Sequence, residues 1–275
     1  MKLLQKFTAI LAVTAATFGV GSSAMAFSIT QNNNSSALLN ALLGNTDGLS
    51  NFSVTATGDA AAFGLFSADP FGLDNGIVLS TGKAQQVAGV NTVSNGGSDF
   101  STDFGSSGAT GDTTSLEISF DADATADKLF FQYVFGSEEF VEYGGSQYND
   151  KFELLLNGVN LAKLSDGKDV TINNLVPNPS GPYHADYVNN PAGPSTVTKL
   201  DGYTQALTFE GLLNKNAKNT LTIKIQDVGD GIYDSAVFLK GGSLGTKQLV
   251  PEPGVVLGLM AVGGLMLQRR RLKKA

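Results

Sequence analysis

The stretch TLTIKIQD, residues 220–227, alternates without a break, with Leu221, Ile223 and Ile225 on one side and Thr222 and Lys224 on the other. A period of two belongs to an extended strand with one buried face, and a helix would scatter those apolar side chains around its circumference. The pattern returns in TSLEISFDA at Leu116, Ile118 and Phe120, and in NFSVTATG at Phe52, Val54 and Ala56. NGIVLSTG is a short apolar run closed by turn residues, DKLFFQYVFG is nearly apolar throughout and reads as a central strand, and SAVFLKG supplies a last strand. DKFELLLNG ends in Asn157-Gly158, the strongest short hairpin signal, and leads into VNLAKL.

Helical spacing is confined to SSALLNALLG, with Ser35 or Ser36 as N-cap, Ala37, Leu38, Ala41 and Leu42 as the apolar side, and Gly44 as C-cap. Residues 86–111 are rich in Gly, Ser, Asn, Thr and Asp and read as a long surface loop. VPNPSGPYHADYVNNPAGP, with five of the eight prolines, reads as a second loop. Strands at short spacing without alternating helices predict an all-β, antiparallel sandwich of jelly-roll type with one short N-terminal helix.

The ends follow different rules. Residues 1–26 carry Lys2 and Lys6, an apolar run and the small-residue sequence SSAMA, in which Ala24 and Ala26 fit a signal peptidase site. At the other end, Val250-Pro251-Glu252-Pro253 precedes an uncharged apolar run and the basic residues Arg269, Arg270, Arg271, Lys273 and Lys274. The run from Gly254 to Leu267, about 14 residues, spans roughly 21 Å as a helix, short of the roughly 30 Å hydrocarbon core. The basic cluster stays cytoplasmic by the positive-inside rule, which puts everything before it outside that membrane. This tail resembles the PEP-CTERM sorting signal of Gram-negative bacteria. The resemblance implies transient insertion of a C-terminal transmembrane helix into the inner membrane, then processing by an exosortase, a membrane cysteine protease. The expected organisation is therefore a signal peptide over 1–26, one β domain over 27–248 and a sorting signal over 249–275. The precursor is membrane-anchored at its C-terminus, and the mature form is extracellular or on the cell surface.

Both ends are basic, so the middle keeps eleven basic residues and is close to twice as acidic as the full-chain charge of −7 implies. Such a surface repels phosphate backbones and argues against nucleic acid as a partner. The chain has no cysteine, which excludes thiolate chemistry, soft-metal sites and a disulfide framework.

The acids gather in two glycine-flanked stretches. VFGSEEFVEYGGSQYND holds Glu138, Glu139 and Asp150, and DVGDGIYDS holds Asp227, Asp230 and Asp234. Adjacent residues face opposite sides of a regular strand, but a turn between Gly136 and Gly144-Gly145 would let Glu138 and Glu139 converge. Oxygen-only ligands on flexible loops match calcium, which takes six to eight oxygens, although EF-hand spacing is absent. The expectation is that these six acids share one or two calcium ions at one end of the sandwich. The competing reading is that they cap turns and blunt strand edges.

GIVLSTG, FQYVFGSEEFVEYGGSQYNDKF, DGYT (residues 201–204) and IKIQDVGDGIYDSAVFL together resemble the choice-of-anchor L domain, over about residues 36–243. Where the family pattern has a tyrosine after the paired glutamates, this chain has Phe140, which removes a hydroxyl but keeps the ring. The resemblance implies a secreted bacterial surface protein without catalytic activity, with PEP-CTERM among the attachment devices of the family. Exopolysaccharide is the candidate partner, and Tyr143, Tyr148, Tyr183 and Tyr187 are rings that would stack on sugars. The alternative is a carbohydrate-binding module or a weak glycoside hydrolase using the same acids. The single histidine, His184, lies two residues before Asp186, but no nucleophile motif accompanies it.

Overall fold

The computed structural model describes residues 26–105 and 112–248. In chain order it contains β1 (Ser28–Gln31), α1 (Ser35–Leu42), β2 (Leu49–Thr57), β3 (Phe63–Ser67), β4 (Asn75–Ser80), β5 (Thr113–Ala122), β6 (Lys128–Ser137), β7 (Lys151–Leu156), β8 (Val159–Asn160) and β9 (Val170–Thr171). These are followed by α2 (Ile172–Leu175), β10 (Tyr187–Asn189), β11 (Gly202–Thr204), β12 (Leu207–Leu212), β13 (Ala217–Gln226) and β14 (Ser235–Lys240). The larger sheet runs β1-β3-β4-β14-β6-β11-β10, with β12 also paired to β6; the smaller runs β2-β5-β13-β7-β8, with β9 also paired to β7. All these pairings are antiparallel. Two antiparallel sheets with few helices are the part of the expected architecture seen here. The signal segment and the C-terminal transmembrane helix lie outside the described residues, apart from Ala26. Among the described residues no helix is long and apolar enough to cross a membrane.

The alternating strands behave as their pattern requires. Leu116, Ile118 and Phe120 of β5 and Leu221, Ile223 and Ile225 of β13 are buried, and they meet Leu79, Phe131, Tyr133 and Phe135 of the larger sheet in one core. Fully burying one such side chain stabilises the fold by about 1.5–3 kcal/mol. β4 and the second half of β6 lose the alternation because their outer face is covered as well. Val78, Val134, Ala236 and Phe238 form a second core beneath Phe27, Phe71, Val87, Phe100 and Leu200. Phe100 is fully buried, so the stretch read as a surface loop is in part a lid over the larger sheet. Its low apolar content hid this, because Val87 and Phe100 carry the contact almost alone.

The local signals hold at the hairpin and shift at the helix. β7 and β8 pair Leu156 with Val159 across Asn157 and Gly158, whose φ values of 52° and 83° are those of a two-residue primed turn. At α1 the cap is Asn34, whose side chain accepts the Ala37 N–H, rather than Ser35 or Ser36. The C-cap is Leu43; Gly44 is required because a Cβ there would sit 2.0 Å from the Gly242 carbonyl oxygen.

Candidate metal centre

Antiparallel register builds the acidic pole. Gln226 at the end of β13 pairs with Thr113 at the start of β5 and with Lys151 at the start of β7. One residue further, Asp227 therefore falls between Asp112 and Asp150, and its N–H donates to the Asp112 carbonyl at 2.9 Å. In the other sheet Ser235 pairs with Ser137, so Asp234 meets Glu138, whose N–H donates to the Asp234 carbonyl at 3.1 Å. Both glycine-flanked acid stretches lie at this one pole. Two bonds tie them together: the Val228 N–H donates to Asp150 Oδ1 at 2.9 Å, and the Ser235 hydroxyl to Asp150 Oδ2 at 2.7 Å.

The carboxylates here are buried. Glu138, Glu139, Asp150, Asp227 and Asp234 are each at most 1% exposed, and Asp230 is half-buried. Neither Asp227 nor Asp234 accepts a well-formed hydrogen bond, although Asp227 lies against the Asp150 carboxyl and Asp234 beside the Thr102 N–H, and Oε2 of Glu139 has no partner. The Thr81 hydroxyl lies near the first two but exchanges its hydrogen bonds with Ser235. Among the described residues, none of the ion pairs involves any of these acids. An isolated buried carboxylate is costly, so the group holds its proton instead. Burial pushes Asp234 up to about 9, with Asp150 and Asp112 adding repulsion. Glu139 rises to about 10 through burial and then through Asp150, Asp230 and Glu142. Asp150 and Asp227, which lie against one another, are both raised by burial, and Asp230 is raised for the same reason.

Close packing holds Asp234 in place. A Cβ on Gly82 would lie 1.7 Å from Asp234 Oδ2, so only glycine leaves room for this carboxylate. Glycine at the end of GIVLSTG is thus a spatial requirement of the acid that immediately precedes the facing strand β14.

Glu138 does not join the others. Its Oε2 accepts the Asp99 N–H at 3.2 Å, and burial followed by Asp201 raises it to about 9. Strand alternation persists past β6, so Glu138 turns outward beneath the lid while Glu139 turns toward Asp150. The convergence expected of the pair is corrected on this point. Sequence reading also left Asp112, Asp201 and Glu142 out of the candidate set, although Glu142 is the third glutamate of VFGSEEFVEYGGSQYND and Asp201 stands in DGYT. Among the described residues, no group of three or more His, Asp or Glu side chains stands ready to hold a metal ion. The acids form a strongly negative buried field, and a cation would have to draw them together and complete its shell with backbone or water oxygens.

The remaining candidates resolve simply. His184 directs Nε2 at Asp166 Oδ1, 3.3 Å away, and Nδ1 accepts the Asp186 N–H at 3.1 Å, so its ring nitrogens serve the proline-rich loop. Tyr143 packs against Tyr148 and Tyr233 with centroids 5.3 and 5.1 Å apart, and Tyr183 packs edge-on against Tyr187 at 5.2 Å. Phe140 is buried between Phe135 and Tyr187, a packing that needs no hydroxyl. The sorting residues Val250, Pro251, Glu252 and Pro253 and the basic tail lie outside the described residues.

No curated protein and no solved structure matches this chain. Residues 28–245 match the family model described as the Choice-of-anchor L domain, so the chain belongs to that family of surface-associated proteins, which is not a known enzyme family.

Proposed function

We propose that this protein is an exported, noncatalytic constituent of the bacterial surface or extracellular matrix whose sandwich is fastened at its acidic pole by calcium. The observation that carries the reading is the pair Asp227 and Asp234, fully buried, outside every ion pair among the described residues and with only poorly formed polar contacts to Thr81, Thr102 and Asp150. Asp150 and Glu139 complete the ligand set, with Asp230 at its edge. Oxygen-only donors and the absence of cysteine favour a hard cation, and the flexible coordination of calcium suits loops that must adjust to it. Because the acids must first release protons and draw together, the affinity belongs to the weak extracellular class, with Kd about 10⁻⁴–10⁻³ M. Calcium outside the cell would then supply the cross-link that disulfides give other exported proteins.

Sorting by an exosortase at Pro251-Glu252-Pro253 belongs to the same proposal and rests on the order of motif, apolar run and basic cluster in the sequence. Association with exopolysaccharide is supported by the tyrosines Tyr143, Tyr148 and Tyr233 packed together beside the acids. Hydrolysis is not favoured, because burial pushes all these carboxyls in one direction, whereas glycosidases need one acid held protonated beside one kept ionised.

The test is a thermal melt of the purified protein in excess calcium and in excess chelator. A ligand bound only by the folded state must raise the midpoint, and coincident melts would remove the calcium reading. Pull-down with the host's exopolysaccharide, followed by a reducing-sugar assay, separates no binding, binding alone and cleavage.

A further inference from the structure

Among the described residues six strands are paired on one side only. Five of them offer little to a further strand: β1 has four residues, β10 three, β8 and β9 two each, and β12 carries Glu210 along its six. β2 has nine, Leu49–Thr57, without a charged residue or a proline, and β5 alone pairs with it. No other backbone hydrogen bond within the described residues reaches positions 52–57. A long exposed edge is a template for another strand, and natural sheets guard it with charge, proline, a bulge or short length. β2 has one such guard, an irregularity between Ser50 and Ser53 with Asn51 at φ 54°, and beyond it Ser53 to Thr57 stay in unbroken register with β5.

The side chains along this edge show what fits there. Ser53, Thr55 and Thr57 are exposed, whereas Phe52, Val54 and Ala56 pack on the core but are only partly buried. Their neighbours Leu116 and Ile118 on β5 are fully buried, so the core is open along β2. A strand that closes it needs small apolar residues on one side, short polar ones on the other and no negative charge, because the chain already carries −7. β2 itself meets each requirement. A two-fold axis at Thr55 sets Ser53 opposite Thr57 and Val54 opposite Ala56, hydroxyl against hydroxyl and apolar against apolar, and it keeps the alternation of both copies. Such a contact is isologous, so one pair closes and no fibre grows.

Direction matters as well. Thr57 pairs with Ser115 near the start of β5, at the acidic pole, while Leu49 pairs with Ala122 at the far end, where Lys247 binds Asp47. Antiparallel pairing sends the two acidic poles to opposite ends; parallel pairing would set them side by side. We infer that β2 is a homophilic edge, through which two copies pair antiparallel over Ser53 to Thr57 and continue the smaller sheet from one into the other. The C-terminal ends then leave at opposite poles, so the pair joins copies attached to facing surfaces. That last consequence rests on the attachment reading above; the pairing does not.

Two measurements in chelator, which keeps calcium from the acidic pole, test the pairing. Sedimentation equilibrium of the purified protein reads it in solution, and clustering of protein-coated beads reads it between surfaces, where many copies act together. Because the chain has no cysteine, Lys274→Cys gives a single point of coupling at the C-terminal end. The native protein should dimerise and its beads should cluster. Thr55→Lys sets two like charges against each other at the axis, and it should weaken dimerisation about tenfold or more and disperse the beads. Thr222→Lys is the control, since both threonines flank Glu117 but β13 is paired on both sides; it should dimerise and cluster like the native protein. Thermal melts of the two variants check that neither result is a loss of fold. A native protein that neither dimerises nor clusters, or Thr55→Lys behaving as Thr222→Lys does, overturns the inference. Dimers in solution without clustering overturn the antiparallel arrangement. If the protein pairs in both assays yet fractionates free of the cell, the pairing stands and the attachment reading fails.

Discussion

Replacing Asp227 with asparagine separates a ligand from a mere structural acid, because the two roles predict opposite signs. The side chain is fully buried against the Asp150 carboxyl and in no ion pair among the described residues, so without metal it must keep a proton. In the unfolded chain the same group ionises near 3.8. A folded pKa raised above the unfolded one means that the folded state binds more protons, and stability declines as pH climbs between the two values. Near pH 7 the ceiling on this loss is about 4 kcal/mol for one carboxyl, and relaxation and water penetration bring it to about 2 kcal/mol. An asparagine side chain has no such proton to bind, so Asp227→Asn in chelator should melt higher than the native protein, by about 4–8 °C for a domain of this size. In calcium at about 100 times Kd the native protein gains about 2.7 kcal/mol, and the variant loses most of that response. Calorimetric melts in chelator and in calcium should therefore cross over, the variant ahead in the first and behind in the second. Equal destabilisation of the variant in both buffers would refute the reasoning, since it would mean that Asp227 serves as an ordinary hydrogen-bonding carboxylate.

Three further outcomes follow from the same geometry. Glu138, Glu139 and Asp234 are raised to about 9, 10 and 9 from ordinary values of 4.5, 4.5 and 3.8, so stability in chelator should fall steadily as pH rises between those limits, and calcium should flatten the decline; melting temperature against pH in the two buffers reads this directly. Gly82→Ala would place a methyl group 1.7 Å from Asp234 Oδ2, and it should lower stability by about 2 kcal/mol or more and weaken the calcium response together, as followed by denaturant unfolding with and without the ion. Gly158→Ala, in the hairpin turn at φ 83°, should cost about 1 kcal/mol while leaving the calcium shift unchanged, which makes it the control for a general loss of stability.

Strand existence was legible wherever one face is buried. β5 and β13 announce themselves by alternation, and Asn157-Gly158 fixes the β7–β8 register, because these are local consequences of backbone period and turn geometry. The lid was not legible. Val87 and Phe100 are single apolar residues in polar surroundings, and only the continuous burial of β4 past Asn75 and of β6 from Tyr133 to Ser137 shows that something must cover their outer face.

The acidic pole divides along the same line between local and distant information. That Asp150, Asp227 and Asp234 each sit one residue beyond a strand end could be seen in the sequence, and in an antiparallel sandwich such positions gather at a few rims. Which rim, and which acid faces which, depends on register between strands far apart in the chain. Asp201 opposes Glu138 only because β11 enters beside the end of β6, and no spacing within either segment encodes that pairing. The paired glutamates show the converse. Their turn residues favoured convergence, yet the period of two continued past Ser137, sending Glu138 beneath the lid and Glu139 toward Asp150. One peptide unit thus joins two buried acidic surroundings on opposite faces of a sheet.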